Sequence, residues 1–280
     1  MYKLKELRQL YCLSSFFVYW MHIKTEGMTF DFKDKVVLVT GGTRGIGKAI
    51  SMAFGKAGAI VAMVYYSNEE EAQATQALMK DIEHFPIRCD VSKPEEVRKM
   101  VNDITFKYGR IDVLINNAGV YIPHEIDKLP YNEWQYKWEK TIAINLNAPA
   151  NICFCVANYM MLQGSGKIIN ITSRGAYRGE PDSPGYGAAK AGLNSLTQSL
   201  AKKLAPHNIF VAGLAPGYVL TGRTKPKLEG EKGKAILAQS PMNRAGTPEE
   251  IARAVLFLSS DGIAYMTGSI IDMNGASHFR

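Results

Sequence analysis

Residues 36–49 read VVLVTGGTRGIGKA. The opening VVLVT is apolar and β-branched without alternation, the pattern of a strand buried on both faces of a parallel sheet. Gly41, Gly45 and Gly47 follow. They run into residues 47–58, GKAISMAFGKAG, which have helical apolar spacing and close on a glycine. Strand, glycine turn and helix in that order make the first half of a βαβ unit. Glycine permits the tight turn, close approach of backbone to a pyrophosphate and close helix–strand packing. The helix N-terminus then offers unpaired N–H groups to an anion.

The same alternation continues along the chain. Strands are expected at 59–66, 86–90, 112–117, 167–173, 208–215 and 268–275. Helices are expected at 69–82, 94–108, 131–163 (one or two), 185–205 and 248–260. Residues 216–247 form a loop with little pattern. This predicts an α/β fold: a single Rossmann-like, doubly wound parallel sheet of about seven strands, helices on both faces, with residues 30–280 as one domain. Chemistry in such sheets sits beyond the carboxyl ends of the strands.

Residues 42–48 also read G-x-x-x-x-G-K, the outline of a triphosphate-binding loop. That loop needs a following Ser or Thr to ligate magnesium, and Ala49 stands there; the strand DVLINN ends in Asn where a metal-binding Asp is wanted. Both missing metal ligands argue against a nucleotide triphosphatase. A dinucleotide with a free ribose 2′-OH would want an acid at the end of the second strand. Tyr65, Tyr66 and Ser67 stand there instead, and Arg44 inside the glycine loop suits a 2′-phosphate, so NADP(H) is favoured over NAD(H).

Net charge is +7, with 33 basic and 26 acidic residues interspersed, so no nucleic-acid partner is expected. The one local concentration is Arg223, Lys225, Lys227, Lys232 and Lys234. Cys12, Cys89, Cys153 and Cys155 have neither a paired framework nor zinc spacing, and the five histidines are scattered, so no metal is expected and a reducing cytoplasm fits. Lys3, Lys5 and Arg8 precede the apolar residues 10–23, which are too short to span a bilayer and lack a small-residue cleavage site. Residues 1–29 are therefore expected to be a dispensable extension, with a membrane-surface anchor as the alternative. No membrane partner is expected of the domain itself.

Residues 183–192 read SPGYGAAKAG. Tyr186 and Lys190 stand one helical turn apart, separated by Gly187, Ala188 and Ala189, which leave room for a flat ligand. Ser173 ends the fifth strand thirteen residues earlier. A second Tyr-x-x-x-Lys, Tyr136 and Lys140, lies among bulky and charged residues and reads as ordinary helix surface.

Residues 30–275 resemble the short-chain dehydrogenase/reductase family. The matching features are TGGTRGIG (40–47), Asp90-Val91, NNAG (116–119), Asn145, Ser173, Tyr186-x-x-x-Lys190 and Pro216-Gly217 with Thr221. The resemblance implies carbonyl reduction by a nicotinamide cofactor. Tyr186 would be the proton donor, and Lys190 would lower its pKa and hold the nicotinamide ribose. Ser173 would bond the substrate oxygen, and Asn145 would hold a water linking Lys190 to solvent. It further implies cofactor contacts at Gly41, Thr43, Arg44, Gly45, Ile46 and Gly47; at Tyr66 and Ser67; at Asp90 and Val91 beside the adenine; at Asn117, Ala118 and Gly119; and at Pro216, Gly217, Val219 and Thr221, besides Tyr186 and Lys190.

The C-terminal run from residue 235 is most similar to the 3-oxoacyl-carrier-protein reductases. Lys202 matches one of their carrier-docking basic positions, while Asn151 stands at the other. A carrier-bound carbonyl and a small free one both stay open as substrate, as does alcohol or polyol oxidation. Arg174 and Arg178 stay open between an acidic substrate and their own neighbours. No G-x-S-x-G elbow supports a serine hydrolase. A catalytically silent NADP-binding sensor is the non-enzymatic alternative. By the same resemblance the helices at 146–163 and 185–205 imply a homodimer or homotetramer.

Overall fold

The computed structural model describes residues 30–79 and 83–280. The expected extension over 1–29, and the last three residues of the helix expected over 69–82, lie outside the described residues. Phe32–Arg280 form one compact unit.

Seven strands and their connecting helices follow the expected alternation: β1 (Val36–Thr40), α1 (Gly45–Lys56), β2 (Ile60–Tyr65), α2 (Glu69–Ala77), β3 (His84–Arg88), α3 (Pro94–Tyr108), β4 (Val113–Asn116), α4 (Tyr131–Ile142), a π turn (Ala143–Asn147), α5 (Ala148–Gln163), β5 (Gly166–Ile171), α6 (Gly175–Arg178), α7 (Pro184–Leu204), β6 (Ile209–Pro216), α8 (Gly230–Leu237), α9 (Pro248–Ser259) and β7 (Ile270–Met273). The sheet order is β3-β2-β1-β4-β5-β6-β7, every pairing parallel. After β3 the chain returns to the other side of β1, so β1 and β4 flank the point where the order reverses. A crevice opens at such a point.

The strands are buried on both faces. Val36 and Leu38 of β1 join Ala62, Leu114, Ile168 and Val211 in a core that α3, α5 and α7 cover. Val37 and Val39 alternate to the opposite face, and α1 packs against α9.

Several expected boundaries move. β3 starts at His84 and stops at Arg88 rather than spanning 86–90. His84 is buried and its Nδ1 accepts the Val61 N–H at 3.3 Å, while Asp90 leaves the strand to make a turn in which its Oδ1 accepts the N–H and hydroxyl of Ser92. Pro86 is tolerated because β3 is an edge strand. β5 stops at Ile171, so Ser173 lies two residues beyond it; the Thr172 and Arg174 N–H groups still reach Leu214 O and Pro216 O, carrying Ser173 along the sheet edge. The patternless loop contains α8, whose two glycines, Gly230 and Gly233, mask its periodicity.

Candidate active site

A cleft of about 1580 Å³ is lined by residues that follow β1 through β6. Every expected site residue borders it: Gly41, Thr43, Arg44, Gly45, Ile46, Gly47, Tyr66, Ser67, Asp90, Val91, Asn117, Ala118, Gly119, Asn145, Ser173, Tyr186, Lys190, Pro216, Gly217, Val219 and Thr221.

At one end the glycine loop forms a cradle. Gly41 and Gly45 have φ of 62° and 53°, left-handed values that disfavour other residues. A Cβ on Gly47 would sit 2.0 Å from Gly41 O. Asn117 ties the loop to β4, its Nδ2 donating to Thr40 O at 2.9 Å and Gly41 O at 3.2 Å. The Thr221 methyl lies 3.5 Å from where a Gly45 Cβ would be, so the chain after β6 crosses over the loop. α1 starts on Arg44 with no side-chain cap and no acid in its first turn. By contrast α2 is capped by Asn68 and begins with three glutamates, and α9 carries a complete Thr247–Glu250 capping box. The N–H groups of α1 are thus left for an anion, and these residues fit the pyrophosphate of a dinucleotide.

Midway along the cleft the polar groups converge. Lys190 is 4% exposed, donates from Nζ to Ile171 O at 2.8 Å, and its ammonium lies 5.8 Å from the Tyr186 ring centroid. Burial, helped by the nearby Arg223 guanidinium, brings its pKa down to about 8. Burial pushes the Tyr186 phenol above its ordinary value; the neighbouring Ser173 hydroxyl and the charge of Arg223 pull it back, and the Glu180 carboxylate pushes it further up, so the lowering by Lys190 that the resemblance implied is not seen in this fold. Asn145 is buried in the π turn. Its Nδ2 donates to Val120 O and Thr141 O, both at 2.9 Å, and its Oδ1 accepts the Val120 N–H at 3.1 Å. A π turn breaks the regular helical ladder and recurs at functional sites. Gly119 allows a close approach here: a Cβ would lie 2.8 Å from Asn145 Oδ1, too near to fit, and 3.9 Å from Lys190 Nζ.

Two devices hold α7 in place. A buried polar chain runs from Asn116 Nδ2 to Asn170 Oδ1 (2.8 Å), from Asn170 Nδ2 to Thr197 Oγ1 (2.8 Å) and from Thr197 Oγ1 to Leu193 O (2.7 Å), joining β4, β5 and α7. At the start of α7 the buried His124 accepts the Gly185 N–H on Nε2 at 2.9 Å, and its Nδ1 lies 2.7 Å from Ile122 O. One nitrogen accepts and the other faces a carbonyl, so the ring is neutral with its proton on Nδ1. Trp134 and Trp138 stand edge-on to it, each 6.1 Å away. Sequence reasoning missed His124, whose partner is 61 residues away.

Arg174 is 5% exposed and donates to Ser277 Oγ at 2.5 Å and Gln239 Oε1 at 2.6 Å, while Arg178 also reaches Gln239 Oε1, at 3.0 Å. Their bonds go to neighbours. Tyr121, Glu180, Tyr218, Arg223 and Lys227 also border this side, as do Tyr136 and Lys140. That last pair is more than the ordinary helix surface expected of it: one side of α4 walls the cleft. Among the described residues no cluster of His, Cys, Asp and Glu could hold a metal ion, and no helix is long and apolar enough to cross a membrane.

Buried Lys190 makes stability depend on alkaline pH. Below about pH 8 it is protonated in both folded and unfolded chains, and its burial penalty is constant. Between about 8 and the unfolded value of 10.5 the folded state releases the proton first, so stability rises with pH. The ligand-free protein is expected to gain about 3 kcal/mol across that window relative to Lys190→Met, read from denaturant melts of both at pH 7.5 and 10. Parallel pH profiles for the two proteins would contradict it.

A family model described as Enoyl-(Acyl carrier protein) reductase matches residues 41–278. The chain is 37% identical over 246 residues to the 3-oxoacyl-[acyl-carrier-protein] reductase FabG of Thermotoga maritima, covering 86% of this chain and 96% of that protein. It is 35% identical over 247 residues to FabG of Staphylococcus epidermidis, covering 88% and 99%, and 37% identical over 245 residues to FabG of Chlamydia trachomatis, covering 86% and 96%. Among solved structures, that of gox2181 aligns with a TM-score of 0.82 and 32% identity, covering 88% of this chain and 96% of that one.

Proposed function

Because the chain belongs to the short-chain dehydrogenase/reductase family, we propose that it is an NADP(H)-dependent oxidoreductase. In this reading it reduces a ketone, of 3-oxoacyl type or another small carbonyl, to a secondary alcohol, with residues 30–280 as the domain that does so. One observation carries the reading: the Tyr186 phenol, the Lys190 ammonium and the Ser173 hydroxyl share a single cleft with an uncapped, glycine-opened helix N-terminus.

Reduction needs a hydride at the carbonyl carbon and a proton at its oxygen. A nicotinamide dinucleotide held on the glycine loop would supply the hydride. Tyr186 holds its proton at neutral pH, and because burial makes it a weaker acid than an ordinary phenol, donation depends on its neighbours favouring the phenolate as the proton leaves. Ser173, which borders the same cleft, offers a second bond to the oxygen as charge develops on it. Lys190, cationic below about pH 8, stabilises the phenolate left behind. Both N–H groups of the Asn145 amide are spent, while Oδ1 accepts only the Val120 N–H and keeps capacity for a second donor. A water donating to that oxygen and meeting Lys190 would return the proton from solvent.

For the cofactor, Arg44 starts α1 with its side chain exposed, and no acid stands on Tyr66 or Ser67. Glu71, which also borders the cleft, accepts from Asn68 Nδ2 at 3.3 Å. Wild type is expected to use NADPH more efficiently than NADH. Arg44→Ala is expected to lower the NADPH-to-NADH ratio of kcat/KM by about 10- to 100-fold, the worth of a charge-assisted hydrogen bond. A wild type preferring NADH overturns this choice of cofactor.

The direct test of the reading is NADPH oxidation over a panel of ketones, including a 3-oxoacyl thioester and free small ketones. An inert panel would favour the silent sensor, and turnover confined to alcohols with NADP+ would favour a dehydrogenase. We further propose a homodimer or homotetramer, supported by the exposed Phe154 and Leu162 on one face of α5 and Phe106 on α3, and a cytoplasmic setting, supported by the unpaired Cys89, Cys153 and Cys155.

A further inference from the structure

One carboxylate beside the reacting groups has almost no partner in the fold. Glu180 is partly buried on the cleft wall. Its carboxylate receives a single long hydrogen bond, from the Tyr121 hydroxyl to Oε2 at 3.4 Å, and makes no ion pair within 4.0 Å among the described residues. Missing side chains make room for it. A Cβ on Gly175 would lie 2.5 Å from Glu180 Oε1, and one on Gly187 would lie 3.8 Å from Glu180 Cβ. Gly175 stands two residues after Ser173 and Gly187 one after Tyr186, so the carboxylate sits between the two segments proposed to hold the ketone oxygen. Tyr121 extends the same wall, its ring 5.2 Å from that of Tyr186 and 5.1 Å from Lys227 Nζ.

A partly buried carboxylate with unspent lone pairs costs free energy unless something donates to it. We propose that Glu180, with Tyr121, selects ketones that carry a hydroxyl on the carbon next to the carbonyl, the hydroxyl donating to the carboxylate. The proposal rests on the reductase reading above and narrows its substrate class. The cations nearest Glu180, Arg178 and Arg174, disfavour an ammonium in the same place. A plain alkyl ketone would strip water from the carboxylate and return no bond, and sites built to bond a hydroxyl reject analogues lacking it.

The test is the ratio of kcat/KM for 1-hydroxy-2-butanone over 2-butanone, at saturating NADPH, in the full chain. Wild type is expected to favour the hydroxyketone at least about tenfold. Glu180→Leu should cut the ratio by about 10- to 100-fold, the worth of one hydrogen bond to a charged group. Glu180→Gln, which keeps an acceptor, should cut it less. Tyr121→Phe removes only a hydroxyl and should lower the ratio several-fold, which keeps the test decisive if the leucine variant fails to fold. An unchanged ratio in Tyr121→Phe and in the folded Glu180 variants overturns the proposal. So does a wild type that prefers 2-butanone, or one that prefers 1-amino-2-butanone to its hydroxy analogue. A wild type that reduces no ketone at all overturns the reductase reading itself, an outcome distinct from reduction without discrimination.

Discussion

Tyr186→Phe is expected to lower kcat for ketone reduction by about 10²- to 10⁴-fold, the usual worth of a general acid. The substitution deletes one oxygen and keeps the ring, which lies 5.2 Å from the Tyr121 ring and 5.8 Å from the Lys190 ammonium. Packing is preserved, so the melting temperature should stay within a few degrees and NADPH should still bind, with Kd changed less than tenfold by fluorescence titration. That combination separates chemistry from folding and from cofactor capture. The serine hydroxyl is then the sole polar contact that the Tyr186–Ser173 pair offers the substrate oxygen. A Phe variant that turns over within threefold of wild type would remove Tyr186 from the mechanism, and some other donor would have to be sought along the cleft.

Gly47→Ala is the second large effect. The added methyl would meet Gly41 O at 2.0 Å and Asn117 Nδ2 at 2.6 Å. The first contact is backbone in the same loop and cannot rotate away; the second is the amide that bonds Thr40 and Gly41. Relief requires the loop to shift away from α1, which breaks the anion cradle. Overpacking of this kind costs about 3 kcal/mol, enough to lower the melting temperature of a domain this size by about 6–12 °C. NADPH binding is expected to weaken more than 100-fold. Gly222→Ala is the matched control, since a Cβ there meets nothing within 4 Å. A Gly47→Ala protein that melts and binds NADPH like wild type would mean that the loop is not built as described.

What could be read from the sequence was local. The glycine loop is legible because Gly41 and Gly45 need left-handed backbone, and that need is written in residue type. Tyr186 and Lys190 are legible because one helical turn fixes their common face. The boundaries of β3 and β5 were less so, since side-chain bonds at His84 and Asp90 and pairing to β6 set them. The standing of Arg174 was not legible at all: its partners Gln239 and Ser277 lie 65 and 103 residues away. Tyr136 and Lys140 look like surface in sequence because nothing in the spacing of α4 says which of its sides the rest of the fold turns toward the cleft.

The Asn116–Asn170–Thr197 chain has a practical consequence for engineering. It bolts the Tyr186 helix to two neighbouring strands from within the core, through side chains that do not themselves line the cleft. Libraries aimed at new specificities can therefore randomise Tyr121, Glu180, Arg223 and Lys227 together without loosening the anchor. Those that touch either asparagine would strand its partner without a bond in a dry interior, and should return mostly insoluble clones.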